Sequence, residues 1–300
     1  MASIKRDYKS SMFSMLWENK EELLSLYNAV NGTGYTNADD LIINTLRNAI
    51  YMGMKNDISF IFDMSLNLYE HQSTINPNMP LRDLFYVAQV LQGIIKDENL
   101  YGTALVKIPT PKFVVFYNGI TKQPERQTLR LSDSFNKKCS TVNLELVVEV
   151  ININPGNNNK LLKNCKRLRE YVLYIERVRN YVADMHIEEA VERAVNECIA
   201  EGILADFLSQ NKAEAIAMSI FEYNQEAHMK CVRQEGYEIG RAEGKAEGKA
   251  EDILELLGEL GEVSDELREK IFSTNELCQL KNWLKLAAKV ESLEQFIKEM

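Results

Sequence analysis

Two short apolar runs with a polar turn between them constrain this chain more than any other feature. Residues 58–62 and 66–69 are rich in aromatic and aliphatic side chains, as strands are, and the turn-tolerant pair at 63–64 lies close to their midpoint. A hairpin with a two-residue loop places Phe62 opposite Ser65, and this pairing sets the register of both strands. The sequence therefore predicts a tight β-hairpin.

The predicted register brings three polar side chains to one face of the hairpin. Counting outward from the turn puts Asp57 directly across from Glu70, and Gln72 shares the face of Glu70 because side chains alternate along a strand. Cross-strand neighbours are about 5 Å apart at Cβ, which is close enough for both carboxylates to contact one cation. Carboxylates gathered in this way typically hold Mg²⁺ for phosphodiester cleavage. A slip of one residue would turn Asp57 away from the others.

The same residues carry a resemblance to a known family. The Asp57…Glu70-x-Gln72 pattern is followed by the strings QSTINPNMPLRDLFY, PKFVVFYNG, EVININPGNN and, near the C-terminus, GRAEG. With these strings in this order, residues 8–252 resemble the PD-(D/E)XK nuclease superfamily, and specifically its recombination-promoting nuclease or transposase-like branch. The resemblance implies a restriction-endonuclease-like α/β core, with a mixed sheet flanked by helices. It also implies a divalent-metal-dependent DNA endonuclease linked to DNA recombination.

The resemblance implies roles for individual residues as well. Asp57 and Glu70 are expected to bind Mg²⁺ or Mn²⁺ together with the main-chain carbonyl of His71. Gln72 stands where the superfamily usually has a catalytic lysine, and a glutamine can orient the attacking water but supplies no positive charge. Arg82 matches an arginine of the branch on the helix after the hairpin, where it can approach a DNA phosphate or the site carboxylates.

Each of these residues also has a purely structural interpretation. Asp57 can be a surface acid at the start of a strand, and Arg82 can simply pair with Asp83 or Asp57. The side chain of His71 points to the face opposite Glu70, which favours a structural role. Glu70 lies on the apolar face of its strand, where a carboxylate needs a partner. The superfamily often adds an acid from its first helix, for which the candidates are Glu18, Glu21 and Glu22.

The net charge of −9 is unevenly distributed along the chain. Residues 101–180 contain 14 Lys and Arg against 6 Asp and Glu, whereas residues 181–300 contain 13 against 26. Many basic residues of the middle part occupy one face of a predicted helix, and the opposite face is apolar. The apolar face can pack on the core while the basic face contacts phosphates. The candidate DNA-binding residues on this helix are Lys163, Lys166, Arg167 and Arg169. A merely solvated helix surface is the alternative interpretation.

The remaining elements of the predicted core follow from periodicity. A helix is expected over residues 8–30, and a second helix begins near Pro80, a residue that suits a first helical turn. Residues 112–117 and 144–153 contain the continuously apolar runs Phe-Val-Val-Phe and Leu-Val-Val, which indicate buried strands. Together with the hairpin, these elements predict an α/β core domain over residues 1–183.

An all-helical C-terminal extension is predicted after the core. Its first part, residues 184–258, contains glycine at every fourth position from Gly236 to Gly248, and residues 259–300 form a small helical cap. Each glycine costs a helix about 1 kcal/mol relative to alanine. The glycine stripe is interpreted either as a partner-facing segment, through which a homo-oligomer can form, or as a flexible charged linker.

Composition argues against several classes of protein. No apolar stretch approaches the roughly 18 residues of a membrane span, and the first residues lead into no signal-peptide core, so a cytoplasmic protein without membrane contact is expected. The five cysteines form no C-x-x-C motif and imply neither a disulfide framework nor a zinc cluster. The alternative to a nuclease is a catalytically weak protein of the same fold that binds DNA or assembles through its helical C-terminal region. A glycosidase fits poorly, because the two acids are too close for inversion.

Overall fold

The computed structural model of the protein describes residues 11–44, 57–137, 141–274 and 276–300. The chain divides into two compact units, Met1–Glu226 and Ala227–Met300. The elements of the first unit are, in order, α1 (Met12–Met15), α2 (Lys20–Asn31), β1 (Ile42–Ile43), β2 (Ile58–Phe62), β3 (Ser65–Gln72), α3 (Met79–Ile94), β4 (Thr110–Tyr117), β5 (Arg126–Arg130), a 3-10 helix (Leu131–Ser134), β6 (Val147–Asn152), α4 (Asn159–Asn164), α5 (Lys166–Val182), α6 (Ile187–Glu201) and α7 (Ala205–Gln210). A long helix, α8 (Lys212–Leu260), contains the division between the units.

The first unit is built on a six-stranded mixed sheet with the strand order β1-β2-β3-β4-β6-β5. Strands β3, β4 and β6 run parallel to one another, and the pairs β1-β2, β2-β3 and β5-β6 are antiparallel. Parallel neighbours need a crossover connection, and α3 lies in the one between β3 and β4. The carboxyl ends of the three parallel strands therefore meet at one edge of the sheet.

The β2-β3 hairpin has the predicted register. Phe62 pairs with Ser65 and Ile58 pairs with Tyr69, so the next position outward places Asp57 opposite Glu70. Both turn residues have positive φ, 48° at Asp63 and 56° at Met64, as a tight two-residue hairpin turn requires. The prediction of a two-residue loop is confirmed.

Helices cover both faces of the sheet. One face carries Tyr69, Phe116 and Ile151 and packs against α1, α2, α4 and α5, with α6 and α7 joining the same apolar core. The other face carries Leu68 and Val115 and packs against α3. An α/β protein with a mixed sheet flanked by helices was predicted, and this architecture is confirmed together with the helical C-terminal region.

Two predicted helices are divided in the structure, and two strands were not predicted. The expected helix over residues 8–30, of which 8–10 lie outside the described residues, is broken before Asn19, whose side chain accepts hydrogen bonds from the N–H groups of Glu21 and Glu22 and starts α2. The basic segment is divided at Cys165, which has extended backbone angles. Strand β1 has two residues, and β5 is a sheet-edge strand with the unbroken polar sequence Arg-Gln-Thr before its leucine.

The described residues of the second unit form helices and the short loops between them. This unit contains the end of α8, followed by α9 (Asp265–Phe272), α10 (Leu277–Ala287) and α11 (Leu293–Glu299), which share a core around Ile253, Leu257 and Trp283. The glycine stripe lies within the continuous helix α8. Self-association through these helices remains a prediction. The first unit runs to Glu226, and the core boundary at 183 remains a prediction.

Two composition-based expectations concern membranes and cysteines. No helix in the described part of the chain is both long enough and apolar enough to cross a membrane. Cys165 and Cys198 are buried free thiols, and Cys278 is an exposed one.

Candidate active site

The Glu70 side chain lies on the face of the sheet that α3 covers. It extends from β3 beside the buried Leu68, and the residue is 8% exposed. Arg82, in the second turn of α3, donates from Nη2 to Glu70 Oε1 at 2.8 Å. The second carboxylate oxygen, Oε2, is buried and has no hydrogen-bond partner. Glu70 therefore keeps one coordinating oxygen beside its counter-ion, and an orphaned buried oxygen is costly unless something binds it.

Asp57 lies at the start of β2, with its carboxylate hydrogen-bonded to the main chain of β3. The His71 N–H donates to Asp57 Oδ2 at 2.8 Å, and Ser11 Oγ, at the N-cap of α1, donates to Asp57 Oδ1 at 3.1 Å. These two hydrogen bonds fix the carboxylate at the end of the hairpin, next to Glu70. Each carboxylate oxygen still has a second lone pair for a cation.

Burial of both acids favours their protonated forms. Burial, and then the negative charge of Asp57, raise the pKa of Glu70 to about 8, although the positive charge of Arg82 opposes the rise. Burial also raises the pKa of Asp57, against the hydrogen bonds from His71 and Ser11. Asp83, the neighbour of Arg82 on α3, has its pKa raised by burial to about 7. Two adjacent buried acids are destabilising when both are ionised, and a bound cation would relieve that repulsion.

Gln72 is on the predicted face, but its amide makes internal contacts. Its Nε2 lies 2.7 Å from Met79 Sδ, and its Oε1 accepts from the Asn76 N–H at 3.2 Å. Met79 Sδ is also 3.2 Å from Arg82 Nη1. In this state Gln72 helps to form the turn that leads into α3, and it must rearrange if it is to orient a water molecule.

The His71 side chain belongs to the opposite face of the sheet, as predicted. Its ring stacks on Phe13 with centroids 5.0 Å apart, and its Nε2 is 3.2 Å from the Tyr171 hydroxyl. Burial, and then the positive charge of Arg179, lower the pKa of His71 to about 3. Its main chain faces the acids, because the N–H and C=O of a strand residue point to the same side and this N–H reaches Asp57.

The neutral buried state of His71 is expected to make the protein sensitive to acid. The unfolded imidazole binds a proton below about pH 6.5, whereas the folded one does so only near pH 3, so the contribution of His71 to stability is complete above pH 6.5 and is lost as the pH falls. Between pH 6.5 and 4, wild type should lose up to about 1.4 kcal/mol per pH unit relative to His71→Phe. Urea denaturation of both proteins across this range measures the difference in their free energies of unfolding. Glu70 and Asp83 titrate in both proteins, so their opposite effect on stability cancels in this difference. Parallel curves would contradict the expectation.

The candidate basic residues differ in their surroundings. Arg167 Nη2 donates to Glu22 Oε1 at 2.8 Å, so it links α5 to α2. Lys166 lies 3.6 Å from Glu170, but its side chain is 76% exposed. Lys163 and Arg169 are exposed. Lys163, Lys166 and Arg169 are therefore accessible to a phosphate backbone, whereas Arg167 and the first-helix acid Glu22 already bind each other.

Three contacts at the site were not anticipated from the sequence. Ser11 binds Asp57, Met79 lies between Gln72 and Arg82, and Asn118, directly after β4, donates its N–H to the Gln72 carbonyl at 3.0 Å. Only the last had a signal, since Asn118 belongs to the FYNG string at the end of a predicted strand. The other two depend on how α1 and α3 pack.

The described residues contain no group of three or more His, Cys, Asp and Glu side chains arranged to hold a metal ion. A cation at this site would accordingly rely on two carboxylates, main-chain oxygen and water, a ligand set that Mg²⁺ commonly uses. No protein-family model, curated protein or solved structure matched the chain.

Proposed function

We propose that the protein is a divalent-metal-dependent DNA endonuclease with a restriction-endonuclease-like core. The element order supports this fold: a helix, a hairpin with an acid on each strand, a covering helix, and a strand parallel to the second hairpin strand. The E-x-Q triplet falls at the carboxyl end of β3, the edge at which open α/β sheets bind ligands. A role in DNA recombination or transposition rests on the resemblance alone.

The observation that carries the proposal is that Asp57 and Glu70 are each one position beyond the last hairpin pair, Ile58 and Tyr69, with Glu70 Oε2 buried and without a partner. These two carboxylates and the main-chain carbonyl of His71 are the residues that would hold Mg²⁺ or Mn²⁺. When bound, such a cation polarises the scissile phosphate and lowers the pKa of water. The donor set is all oxygen, which fits a hard divalent cation.

The other residues bind and orient the substrate in this proposal. Arg82 fixes one oxygen of Glu70 and can turn its remaining guanidinium donors to a phosphate. Gln72, once its amide leaves Met79, can hold a water molecule by hydrogen bonds on the face of Glu70. Lys163, Lys166 and Arg169 supply exposed positive charge for the DNA backbone.

A plasmid-nicking assay tests the activity. Purified protein is incubated with supercoiled plasmid in Mg²⁺, in Mn²⁺ and in EDTA, and the conversion to open-circular and linear DNA is followed. Cleavage in either metal that EDTA abolishes supports the proposal. Absence of cleavage over a full range of metal concentration and pH would refute it.

A DNA-binding or assembly protein without catalysis is the second candidate. Two observations favour it: Gln72 makes only internal contacts, and Arg82 already binds one oxygen of Glu70. A mobility-shift titration beside the nicking assay separates the two functions. Tight DNA binding with no cleavage in either metal would identify the non-catalytic protein.

Metal binding itself should depend on pH. A protonated Glu70 cannot coordinate a cation, and because burial raises its pKa to about 8, Mg²⁺ must displace a proton at neutral pH. Calorimetric titration is expected to show an affinity that rises about fivefold between pH 7 and pH 8 and about twofold more by pH 9, with proton release detectable from the buffer dependence of the heat. The same titration of Glu70→Gln should lose both the binding and the proton release. A pH-independent affinity in wild type would exclude Glu70 as a ligand.

A further inference from the structure

A polar pocket of about 420 Å³ lies at the carboxyl ends of β4 and β6, where the loops after these strands meet α5. Its volume falls within the range of small-molecule sites. Side-chain amides are the most frequent polar groups of its lining, and they come from Asn118 and Gln123 after β4, from Asn152, Asn154 and Asn157 around the end of β6, and from Asn180 on α5. Neither the hairpin nor the basic helix surface accounts for this concentration of amides.

The pocket amides are held in place by hydrogen bonds. Asn152 donates to the Gln123 carbonyl at 3.0 Å and accepts from Asn154, and Asn154 donates to the Gly119 carbonyl at 3.0 Å. These bonds connect the two loops and orient the polar groups before any ligand arrives. A preorganised site of this kind binds with a smaller entropic penalty.

Asn118 carries the strongest indication of a ligand. It is 2% exposed and lines the pocket, and its Oδ1 accepts from Arg179 Nη1 at 2.8 Å. The contact with the guanidinium fixes the orientation of the amide, because the opposite orientation would place two donors together. Its Nδ2 is then buried without a hydrogen-bond partner. A buried donor left unpaired costs about 1–3 kcal/mol, and a bound acceptor would remove this penalty.

We propose that this pocket binds a single unpaired nucleobase. Planar amides offer a donor and an acceptor in fixed geometry, which matches the edges of bases, and Asn and Gln commonly read bases in this way. Ile120, Pro155 and Val172 supply apolar contacts for the faces of a ring. Arg179 and Lys122, also in the lining, supply positive charge for the attached phosphate and outnumber the one acid of the lining, Glu176.

The inference deepens the proposed nuclease function and rests on it for the source of the base. The Asn118 N–H donates to the Gln72 carbonyl, and β3 and β4 pair at Gln72 and Tyr117, so the pocket adjoins the candidate active site. A polynucleotide that crosses the acids would pass the pocket within a short length of chain. A nucleotide extruded from a duplex, or one in a single strand, could then insert its base.

The first experiment measures ligand binding without metal or cleavage. The four nucleoside 5′-monophosphates, ribose 5-phosphate and inorganic phosphate are titrated in EDTA, with binding followed by amide chemical shifts or calorimetry. At least one nucleotide is expected to bind about tenfold or more tightly than ribose 5-phosphate. Equal binding of ribose 5-phosphate would assign the pocket to sugar phosphate and overturn the inference, and so would an absence of all binding.

Two pocket variants and a matched control locate the binding. Asn118→Asp keeps an acceptor for Arg179, replaces the unpaired donor with an oxygen and adds a negative charge, so it should weaken nucleotide binding about tenfold. Gln123→Ala, which also changes the pocket lining, should weaken nucleotide binding less. If Asn118→Asp does not fold, Gln123→Ala still tests whether the nucleotide binds in this pocket. Asn164→Asp, an exposed site outside the pocket, should bind as wild type does. Unchanged binding in both pocket variants would overturn the inference.

A second readout separates this inference from the nuclease proposal. Single-stranded oligonucleotides that contain either one abasic position or an intact base are compared by fluorescence anisotropy in EDTA. If the wild-type protein binds the oligonucleotide with the intact base more tightly, and Asn118→Asp does not, the result supports the nucleobase pocket. This conclusion holds even if the protein cleaves no DNA. Cleavage without any such preference would leave the nuclease standing and refute the pocket.

Discussion

Glu70→Gln is expected to reduce metal-dependent plasmid nicking by about three orders of magnitude while the protein stays folded. The substitution removes the negative charge and one of the two carboxylate oxygens that a divalent cation needs. The glutamine oxygen can still accept the hydrogen bond from Arg82. Because burial raises the pKa of Glu70 to about 8, the acid is mostly protonated near neutral pH, and a neutral amide resembles that form. The free energy of unfolding should therefore change by less than about 1 kcal/mol. The measurements are initial nicking rates in Mg²⁺ and urea denaturation at pH 7.

Glu98→Gln is the matched control, because it makes the same chemical change at an exposed site after α3 and should nick as wild type does. Asp57→Asn should also lose activity with little loss of stability, because its amide oxygen can accept from the His71 N–H while its NH2 group donates to the Ser11 hydroxyl. If Glu70→Gln nicked plasmid at the wild-type rate, the hairpin acids would have no role in cleavage.

The hairpin could be predicted from the sequence because its information is local. Alternation along each strand and a two-residue turn at Asp63 and Met64 determine the register, and the register alone places Asp57 opposite Glu70. The buried strands β4 and β6 were predictable for a similar reason, since their apolar runs require cover on both faces.

The rest of the candidate site depends on packing between distant segments. Arg82 was expected near a phosphate or the acids, but its pairing with Glu70 in particular depends on where α3 crosses the sheet. The break before α2 had a readable signal in Asn19, an N-cap residue followed three positions later by Glu22. Strand β5 had none, because polar edge strands lack an apolar pattern. The amide pocket combines two loops that are about thirty residues apart and become neighbours only in the folded sheet.

Gly119→Ala is expected to be the most destabilising of the substitutions considered, by about 3 kcal/mol. A Cβ at this position would lie 1.8 Å from the Ser73 carbonyl oxygen and 2.6 Å from the Tyr117 hydroxyl, so the main chain after β3 or β4 must move. The preceding residue, Asn118, donates its N–H to the Gln72 carbonyl, and the same displacement would separate these strand ends. Urea denaturation should show a lower midpoint, and both nicking and nucleotide binding should fall in the fraction that remains folded.

Gly93→Ala controls for the chemical change itself. Gly93 lies in α3 with no atom within 4 Å of an added Cβ, so alanine there should stabilise the protein by about 0.5–1 kcal/mol through its higher helix propensity. If the two substitutions change the free energy of unfolding in opposite directions, position 119 requires glycine because of the close approach of the Ser73 carbonyl, and not because of backbone freedom in general. A Gly119→Ala protein as stable as wild type would mean that the loops after β3 and β4 can separate at little cost. In that case the hydrogen bond between Asn118 and Gln72 would not keep the nucleobase pocket next to Asp57 and Glu70.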